Sequence, residues 1–398
     1  MSVWEGTLGN PESPVILHLA NDEKFINTAF HLFEEAFPVC NRCVIIKPPA
    51  DPPLKYVKKR EGIVTAVTGK GAYERMVTES EMADAVILHG VDSEKGAALL
   101  TSRNKEKFAG IIFGSELYNE RMAGNDYLKE KTRRLEQFTQ ETRPVDWIRK
   151  VYRAIAYRNS RQKFEDIELR QVFADLSWFG THSSESLDKW MERNIISKDA
   201  ETFHFSYFPI EQIVPDREMR VKGNAILLGN SAAPTNNHIE ALELLKEAGI
   251  GDRTVISPLS YGNERYAEII RKEGHRMFAD RFEPVDRFLS LDEYTTLISR
   301  CEIVIMNHLR SQALGTSLAA VWLGAKVFLN DTEAYRYLRS IGCRVFLIEE
   351  SLSEHLQVTG PLDIEAAERN RQALLSKFSE EVLVNEIRCA FRCKFNFV

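Results

Sequence analysis

The chain has 398 residues, 44% hydrophobic and 28% charged, with a formal net charge of −6. That length supports two separately cored domains, and the slightly acidic balance excludes tight nonspecific binding to nucleic acid. No apolar run approaches the roughly 20 residues of a bilayer span, and Glu5 stands where a signal peptide would be basic, so a cytoplasmic protein is expected.

Taken in chain order, the first half alternates short apolar runs with helical patterns. Val15-Ile16-Leu17-His18-Leu19 reads as a first strand, and Glu23 to Phe37 as a helix with Phe25, Ile26, Phe30, Phe33 and Phe37 on one stripe. Val44-Ile45-Ile46, Ile63 to Val67, Ala85 to Leu88 and Gly110 to Phe113 follow as strands. They are apolar on both faces, as a buried parallel sheet requires. A charged, helix-rich stretch runs from Tyr118 to about Arg170, and Phe203 to Phe208 forms a further strand. Pro209 to Lys222 is polar and lacks periodicity, so the interdomain linker is placed there. The second half repeats the alternation at Ala225–Leu228, Thr254–Ser257, Arg276–Ala279, Glu302–Met306, Lys326–Leu329 and Arg344–Ile348, and Glu365 to the end reads as helical. The expectation is an α/β protein with two doubly wound domains facing a cleft: residues 1–212, residues 213–364, and a helical segment 365–398 that packs back on the first domain.

Two turns carry the chemistry. After Ala225–Leu228 comes Gly229-Asn230-Ser231, and Asn236-Asn237-His238 opens a helix. After Ile303–Met306 comes the run Asn307-His308-Leu309-Arg310-Ser311-Gln312-Ala313-Leu314-Gly315-Thr316-Ser317, again leading into a helix. A strand, a small polar turn and a helix start present backbone N–H groups to an anion, and two such turns suit a nucleotide diphosphate. Other phosphate motifs fail. Gly69-Lys70-Gly71 lacks the spacing of a phosphate loop, and Glu74 stands where a dinucleotide fingerprint needs its third glycine. There is neither a G-x-S-x-G elbow nor a D-x-D that would bring a metal to a diphosphate. Cys40-x-x-Cys43 and Cys389-x-x-x-Cys393 lack histidines at ligand spacing and read as reduced thiols. Neither a metal nor a cofactor is expected.

The run Ile226 to Ser231 followed by Asn237-His238-Ile239-Glu240-Ala241-Leu242 resembles glycosyltransferase family 56. Pro258-Leu259-Ser260-Tyr261-Gly262-Asn263 with Tyr266, Leu291-Asp292-Glu293-Tyr294, and Gln312-Ala313-Leu314-Gly315-Thr316 are similar to it as well. In the first half the strand ending at His18, Asn21-Asp22, His89-Gly90, Gly114 to Tyr118 and Tyr207-Phe208-Pro209 match more loosely. Two departures stand out. Phe113 and Glu116 replace the Trp and Asp of a W-G-x-D-L-Y pattern, and Ala313 and Leu314 stand in a Q-G-I-G-T pattern.

The resemblance implies an inverting transferase of the GT-B fold. The second domain would bind the nucleotide sugar and the first the acceptor. In the family an N-acetylfucosamine-like sugar passes from a TDP-sugar to a polyprenyl-diphosphate-linked glycan at the inner membrane face, in surface polysaccharide synthesis.

Such a reaction must stabilise the leaving diphosphate and deprotonate an acceptor hydroxyl. For the diphosphate, Gly315, Thr316 and Ser317 supply one helix start, Asn230 and Ser231 the other turn, and Arg310 a cation. Asn237, Asn307, His308 and Gln312 end strands or open helices beside them, while Tyr261 and Asn263 are placed to meet base or ribose. For the base, the candidates are Glu116 and Asp22, with His89 orienting the acceptor and His18 in the strand behind. Each also has an ordinary reading: a helix cap for Asp22 and Glu116, a satisfied core histidine for His18, a surface ion pair for Arg310, packing for Tyr261. N-capping accounts for Asp292 and Glu293. Trp147 to Arg158 mixes aromatics and cations at helical spacing, which fits either an interfacial helix or a core-packed one. A transferase with another donor or a soluble acceptor, a sugar-nucleotide epimerase, and a non-catalytic nucleotide-sugar-binding protein share the same coarse pattern.

Overall fold

The computed structural model describes residues 13–47, 53–58, 63–67, 70–114, 116–118, 127–140 and 169–397. The chain divides into two compact units, Met1–Leu117 with Pro144–Tyr207 and Glu380–Val398, and Tyr118–Arg143 with Phe208–Ser379.

The first unit holds a seven-stranded sheet in the order β3-β2-β1-β4-β5-β6-β7. Its strands are β1 (Ile16–Asn21), β2 (Asn41–Lys47), β3 (Ile63–Val67), β4 (Ala85–His89), β5 (Phe108–Ile111), β6 (Trp178–Thr181) and β7 (Glu201–His204). Every pairing is parallel. The second unit holds β8 (Ala225–Leu228), β9 (Val255–Pro258), β10 (Phe282–Val285), β11 (Cys301–Met306), β12 (Lys326–Leu329) and β13 (Phe346–Leu347), ordered β10-β9-β8-β11-β12-β13 and also parallel. In both sheets the strand order reverses at one place, between β1 and β4 and between β8 and β11. Chains leaving these neighbours turn to opposite faces, so their C-terminal ends open a crevice for ligands.

Helices cover both faces because the strands bury both. The helix Leu314–Leu323 buries every residue from Ser317 to Leu323 and lies in one core layer with Val304, Val327 and Leu374. The helix His238–Ala248 turns Ala241, Leu242 and Leu245 into the other layer, against Ile226, Ile303 and Phe328.

Several expectations are corrected. Arg276–Ala279 is not a strand. Met277 and Phe278 close the apolar stripe of the helix Glu264–Phe278, which also buries Tyr266, Ala267, Ile270 and Gly274, and the strand follows at Phe282–Val285. Arg344–Ile348 contributes only Phe346–Leu347 before Ile348 starts a helix. β6 was not expected; four residues are too few to display a period. The stretch read as a linker buries Ile210 and Val214 in the second unit's core, while Val221 N donates to Leu323 O at 3.1 Å. The C-terminal segment is two helices broken at Ser379: Ile364–Phe378 stays with the second unit, and Glu380–Phe395 packs Phe391 against Phe33, Phe203 and Trp178 of the first. Tyr118 and the helix Glu130–Gln140 also belong to the second unit, although residues 1–212 were expected to form one domain. Trp147 to Arg158 lies outside the described residues.

Candidate active site

In the first unit, polar side chains gather at the β1/β4 junction. His18 in β1 and His89 at the end of β4 are buried, with His18 Nδ1 2.8 Å from His89 Nε2. His18 Nε2 lies 3.1 Å from Asn41 Oδ1, and His89 Nδ1 lies 2.8 Å from the Tyr207 hydroxyl. Burial pulls the His18 pKa down to about 4, against the pull of the Asn41 bond. His89 is held well below its usual range by burial, then by His18 and Lys95. Both rings are therefore neutral at physiological pH.

Glu116 lies beside this chain. Its Oε1 accepts from the amides of Phe113 at 2.9 Å and Val91 at 3.3 Å. Burial pushes the carboxyl up, opposed by backbone amides and by the charge of Lys95. A carboxylate raised toward neutrality is a better base than a free one.

Asp22 is a different case. Its carboxylate accepts from the backbone N–H groups of Lys55 (2.6 Å), Tyr56 (3.1 Å) and Val57 (2.8 Å), so it anchors the 55–57 loop. It caps no helix, because the first helix starts at Ile26 after Phe25. Burial works to raise its pKa, but the amides of Lys55, Val57 and Tyr56 outweigh it and hold the carboxyl below its usual value. Three committed amides and a lowered pKa make Asp22 a poor base.

Two polar groups here were not singled out from sequence. Asp92 caps the helix Ser93–Thr101 and pairs with the buried Lys95, and Asn21 donates to it at 3.3 Å.

In the second unit the β8 and β11 ends are stitched together by Asn236. Its Nδ2 donates to Ser231 O (3.1 Å) and Ala233 O (3.1 Å), while its Oδ1 accepts from Asn230 N at 3.0 Å. Since that oxygen is an acceptor, His308 Nε2, 2.9 Å away, carries a proton toward it. Burial, then Arg310 and His238, pull the His308 pKa down to about 3. The neutral ring then leaves Nδ1 as a bare acceptor, buried and without a hydrogen-bond partner; Ser317 Oγ is buried and unpartnered too. Gly229 makes the packing possible. At φ +70° it takes a backbone that glycine adopts without strain, and a Cβ there would stand 2.6 Å from Asn236 Oδ1 and 2.7 Å from His238 Nε2.

The other expected residues distribute as follows. Asn237 and Asn307 are buried and bond each other's backbone, with both Nδ2-to-carbonyl distances at 3.0 Å. Asn230 Nδ2 donates to the Tyr261 hydroxyl at 3.1 Å, and Gln312 Nε2 to Asn230 Oδ1 at 3.4 Å. Asn263 caps the helix Glu264–Phe278 by accepting from Tyr266 N. Thr316 Oγ1 lies 3.2 Å from the Tyr294 hydroxyl, and Gly315 sits where a Cβ would be 3.1 Å from the Phe208 ring. Ala313 keeps φ at +57° before the helix Leu314–Leu323, the left-handed backbone that a glycine takes freely, and gives that helix no side-chain cap. Arg310 lies over the Tyr118 ring, 5.0 Å from its centre, and Tyr118 donates to Glu333 at 2.8 Å. Ser290, with Glu293 in a capping box, is the N-cap of the helix Leu291–Ser299, a correction to the capping expected of Asp292.

Lys129 was missed. Its amide donates to Asn237 Oδ1 at 2.7 Å, and its half-buried ammonium reaches Asn330 Oδ1 at 3.4 Å. Burial lowers its pKa, opposed by Glu349 and Glu240, and among the described residues it has no ion-pair partner. It stands at the start of a helix distant in sequence from both turns, with no local signal.

Cys40 and Cys43 are buried and Cys389 and Cys393 exposed. Among the described residues no group of three His, Cys, Asp or Glu side chains comes together as a metal site, and no helix is long and apolar enough to cross a membrane.

Comparison with known proteins fits this geometry. Residues 186–378 match the family model described as 4-alpha-L-fucosyltransferase, glycosyl transferase group 56. Among solved structures, the N-terminal domain of trehalose-6-phosphate phosphatase from Candida albicans aligns over 98% of this chain and 99% of that one, at TM-score 0.61 and 10% identity. Sucrose-phosphate synthase from Thermosynechococcus elongatus aligns over 96% and 99%, at TM-score 0.60 and 9% identity. HepE of Anabaena, solved in complex with UDP and glucose, aligns over 95% and 100%, at TM-score 0.58 and 10% identity. At such identities the likeness speaks for the fold. Fold and family match together define a glycosyltransferase of the GT-B class. Within that class the chain resembles glycosyltransferase group 56, through the segment that carries the second unit's strand-end turns.

Proposed function

We propose that this transferase inverts the anomeric centre of a 4-acetamido-4,6-dideoxyhexose, an N-acetylfucosamine-like sugar. It moves that sugar from a TDP-sugar to a polyprenyl-diphosphate-linked glycan of a bacterial surface polysaccharide. The observation that carries the donor half is the β8/β11 junction, where the uncapped start of the helix Leu314–Leu323, the Gly229–Ser231 turn and Arg310 are offered at C-terminal strand ends. The donor belongs to residues 213–364 and the acceptor to residues 1–212, with Lys129 of the second compact unit added to the donor set.

The acceptor oxygen attacks C1 of the sugar while the bond from C1 to the diphosphate oxygen breaks. Glu116 takes the acceptor proton, and the nucleoside diphosphate leaves with the bonding pair. Negative charge grows on the diphosphate, where the main-chain N–H groups of Gly315 and Thr316, Ser231 and the Arg310 and Lys129 cations stabilise it, the Ser317 N–H being spent on Ala313 O at 3.0 Å. His308 Nδ1, a bare acceptor, suits a hydroxyl or amide N–H of the sugar rather than a phosphate oxygen. The enzyme works at the inner face of the cell membrane without spanning it.

The test is transfer of label from TDP-sugar to a polyprenyl-diphosphate glycan, with free TDP released only when acceptor is present. Glu116→Gln should bind donor and lose turnover by about 100-fold or more. Sugar conversion without acceptor would mark an epimerase, and binding with neither outcome a non-catalytic protein. Flotation with anionic liposomes tests the membrane location.

A further inference from the structure

The polar chain of the first unit has a direction, fixed at its far end. Asn41 Nδ2 donates to the carbonyls of Phe37 (2.8 Å) and Phe33 (3.1 Å) and to the Glu34 carboxylate (2.8 Å). Three acceptors around one atom make it the amide nitrogen, so Asn41 Oδ1 is an acceptor and His18 Nε2 carries the proton between them. A neutral His18 then has a bare Nδ1, which takes its bond from His89 Nε2–H. His89 is left with a bare Nδ1, and the Tyr207 hydroxyl must be the donor to it. One amide thus sets two tautomers and one hydroxyl.

Phe113 links Tyr207 to Glu116. Phe113, whose amide Glu116 holds, packs its ring on Tyr207 with centres 5.1 Å apart, and the Glu116 charge acts on the phenol. That packing needs Gly90, where a Cβ would stand 2.6 Å from the Phe113 ring. Among the described residues, the other charged and titratable groups acting here are Lys95, its partner Asp92, and the two neutral histidines. A phenol beside a carboxylate ordinarily donates to it, which favours the charged form and weakens the base.

We propose that Asn41, His18 and His89 are positioning residues that commit the Tyr207 proton to His89, withhold it from Glu116, and so keep Glu116 a strong base. This rests on the reading of Glu116 as the base.

Two measurements on the full chain test it. Nitrogen-15 NMR of the histidines should find His18 and His89 neutral near pH 7, both protonated at Nε2; an Nδ1-protonated tautomer of either overturns the proposal. Carbon-13 NMR of labelled glutamate, with Glu116→Gln identifying the resonance, should show the Glu116 midpoint falling by about one pH unit in His89→Leu, as the released phenol turns to the carboxylate. His89→Leu/Tyr207→Phe should restore it, which general loosening would not do. An unmoved midpoint in His89→Leu overturns the proposal while leaving Glu116 as base. Full turnover by Glu116→Gln instead removes the base reading, and this proposal with it.

Discussion

Replacing Gly229 by alanine should damage the Gly229–Ser231 turn and the fold around it far more than the same change at Gly249. Both glycines have a positive φ, +70° and +76°, Gly249 with ψ at 135°. Forcing alanine to a positive φ costs about 1–2 kcal/mol at either site. Around Gly249 a new Cβ meets nothing within 4 Å, so that cost is the whole effect. At Gly229 the Cβ would press on Asn236 Oδ1 at 2.6 Å and His238 Nε2 at 2.7 Å. Asn236 must then move, and its oxygen loses the bonds from Asn230 N and His308 Nε2, each of about 1 kcal/mol and more where a buried donor is stranded. The expected sum is about 3–5 kcal/mol for Gly229→Ala against about 1–2 for Gly249→Ala. Urea unfolding, read as the midpoint at constant slope, measures both, and calorimetric titration with TDP reads the turn itself. Equal destabilisation by the two variants, with TDP binding intact in Gly229→Ala, would refute the claim that this glycine is required by close approach.

Three further outcomes are expected. Glu302→Ala strands Arg253, whose Nε lies 2.6 Å from Glu302 Oε1 with both side chains buried; it should cost about 3–5 kcal/mol in chemical unfolding, whereas replacing both partners by apolar residues should cost much less. Asp22 has a folded pKa below its unfolded value, so the stability it contributes is fully present above the ordinary carboxylate range and is lost as pH falls through the lowered value. Asp22→Asn should flatten the acid limb of a melting-temperature profile below about pH 4, and an unchanged limb contradicts the anchoring role. Lys129→Gln should weaken TDP about tenfold, roughly 1.4 kcal/mol, without changing thymidine binding; equal loss for both ligands would show that the lysine supports the fold rather than the diphosphate.

How much of this was legible in the chain follows from which forces act locally. The strands β1, β2, β4, β8, β11 and β12 could be read from runs such as Val44-Ile45-Ile46 and Ile303-Val304-Ile305, because burial on both faces demands apolar residues throughout. The two polar turns were visible for a related reason, since a backbone that bends sharply at a strand end selects glycine and small polar residues. Met277 and Phe278 misled because four residues cannot separate the end of an amphipathic helix from a short strand.

Sequence alone therefore determined the two α/β sheets, the small polar residues of their strand-end turns, and a resemblance to glycosyltransferase family 56. Only the tertiary structure decided which polar groups meet. It turned Asp22 into a loop anchor, assembled Asn41, His18, His89 and Tyr207 into one chain, and added Lys129 to the second unit. The physical reason is range. Apolar period and turn chemistry act between residues a few positions apart, whereas a buried hydrogen bond joins partners that the chain separates by 71 residues for His18 and His89 and by 118 for His89 and Tyr207, and no local pattern records them.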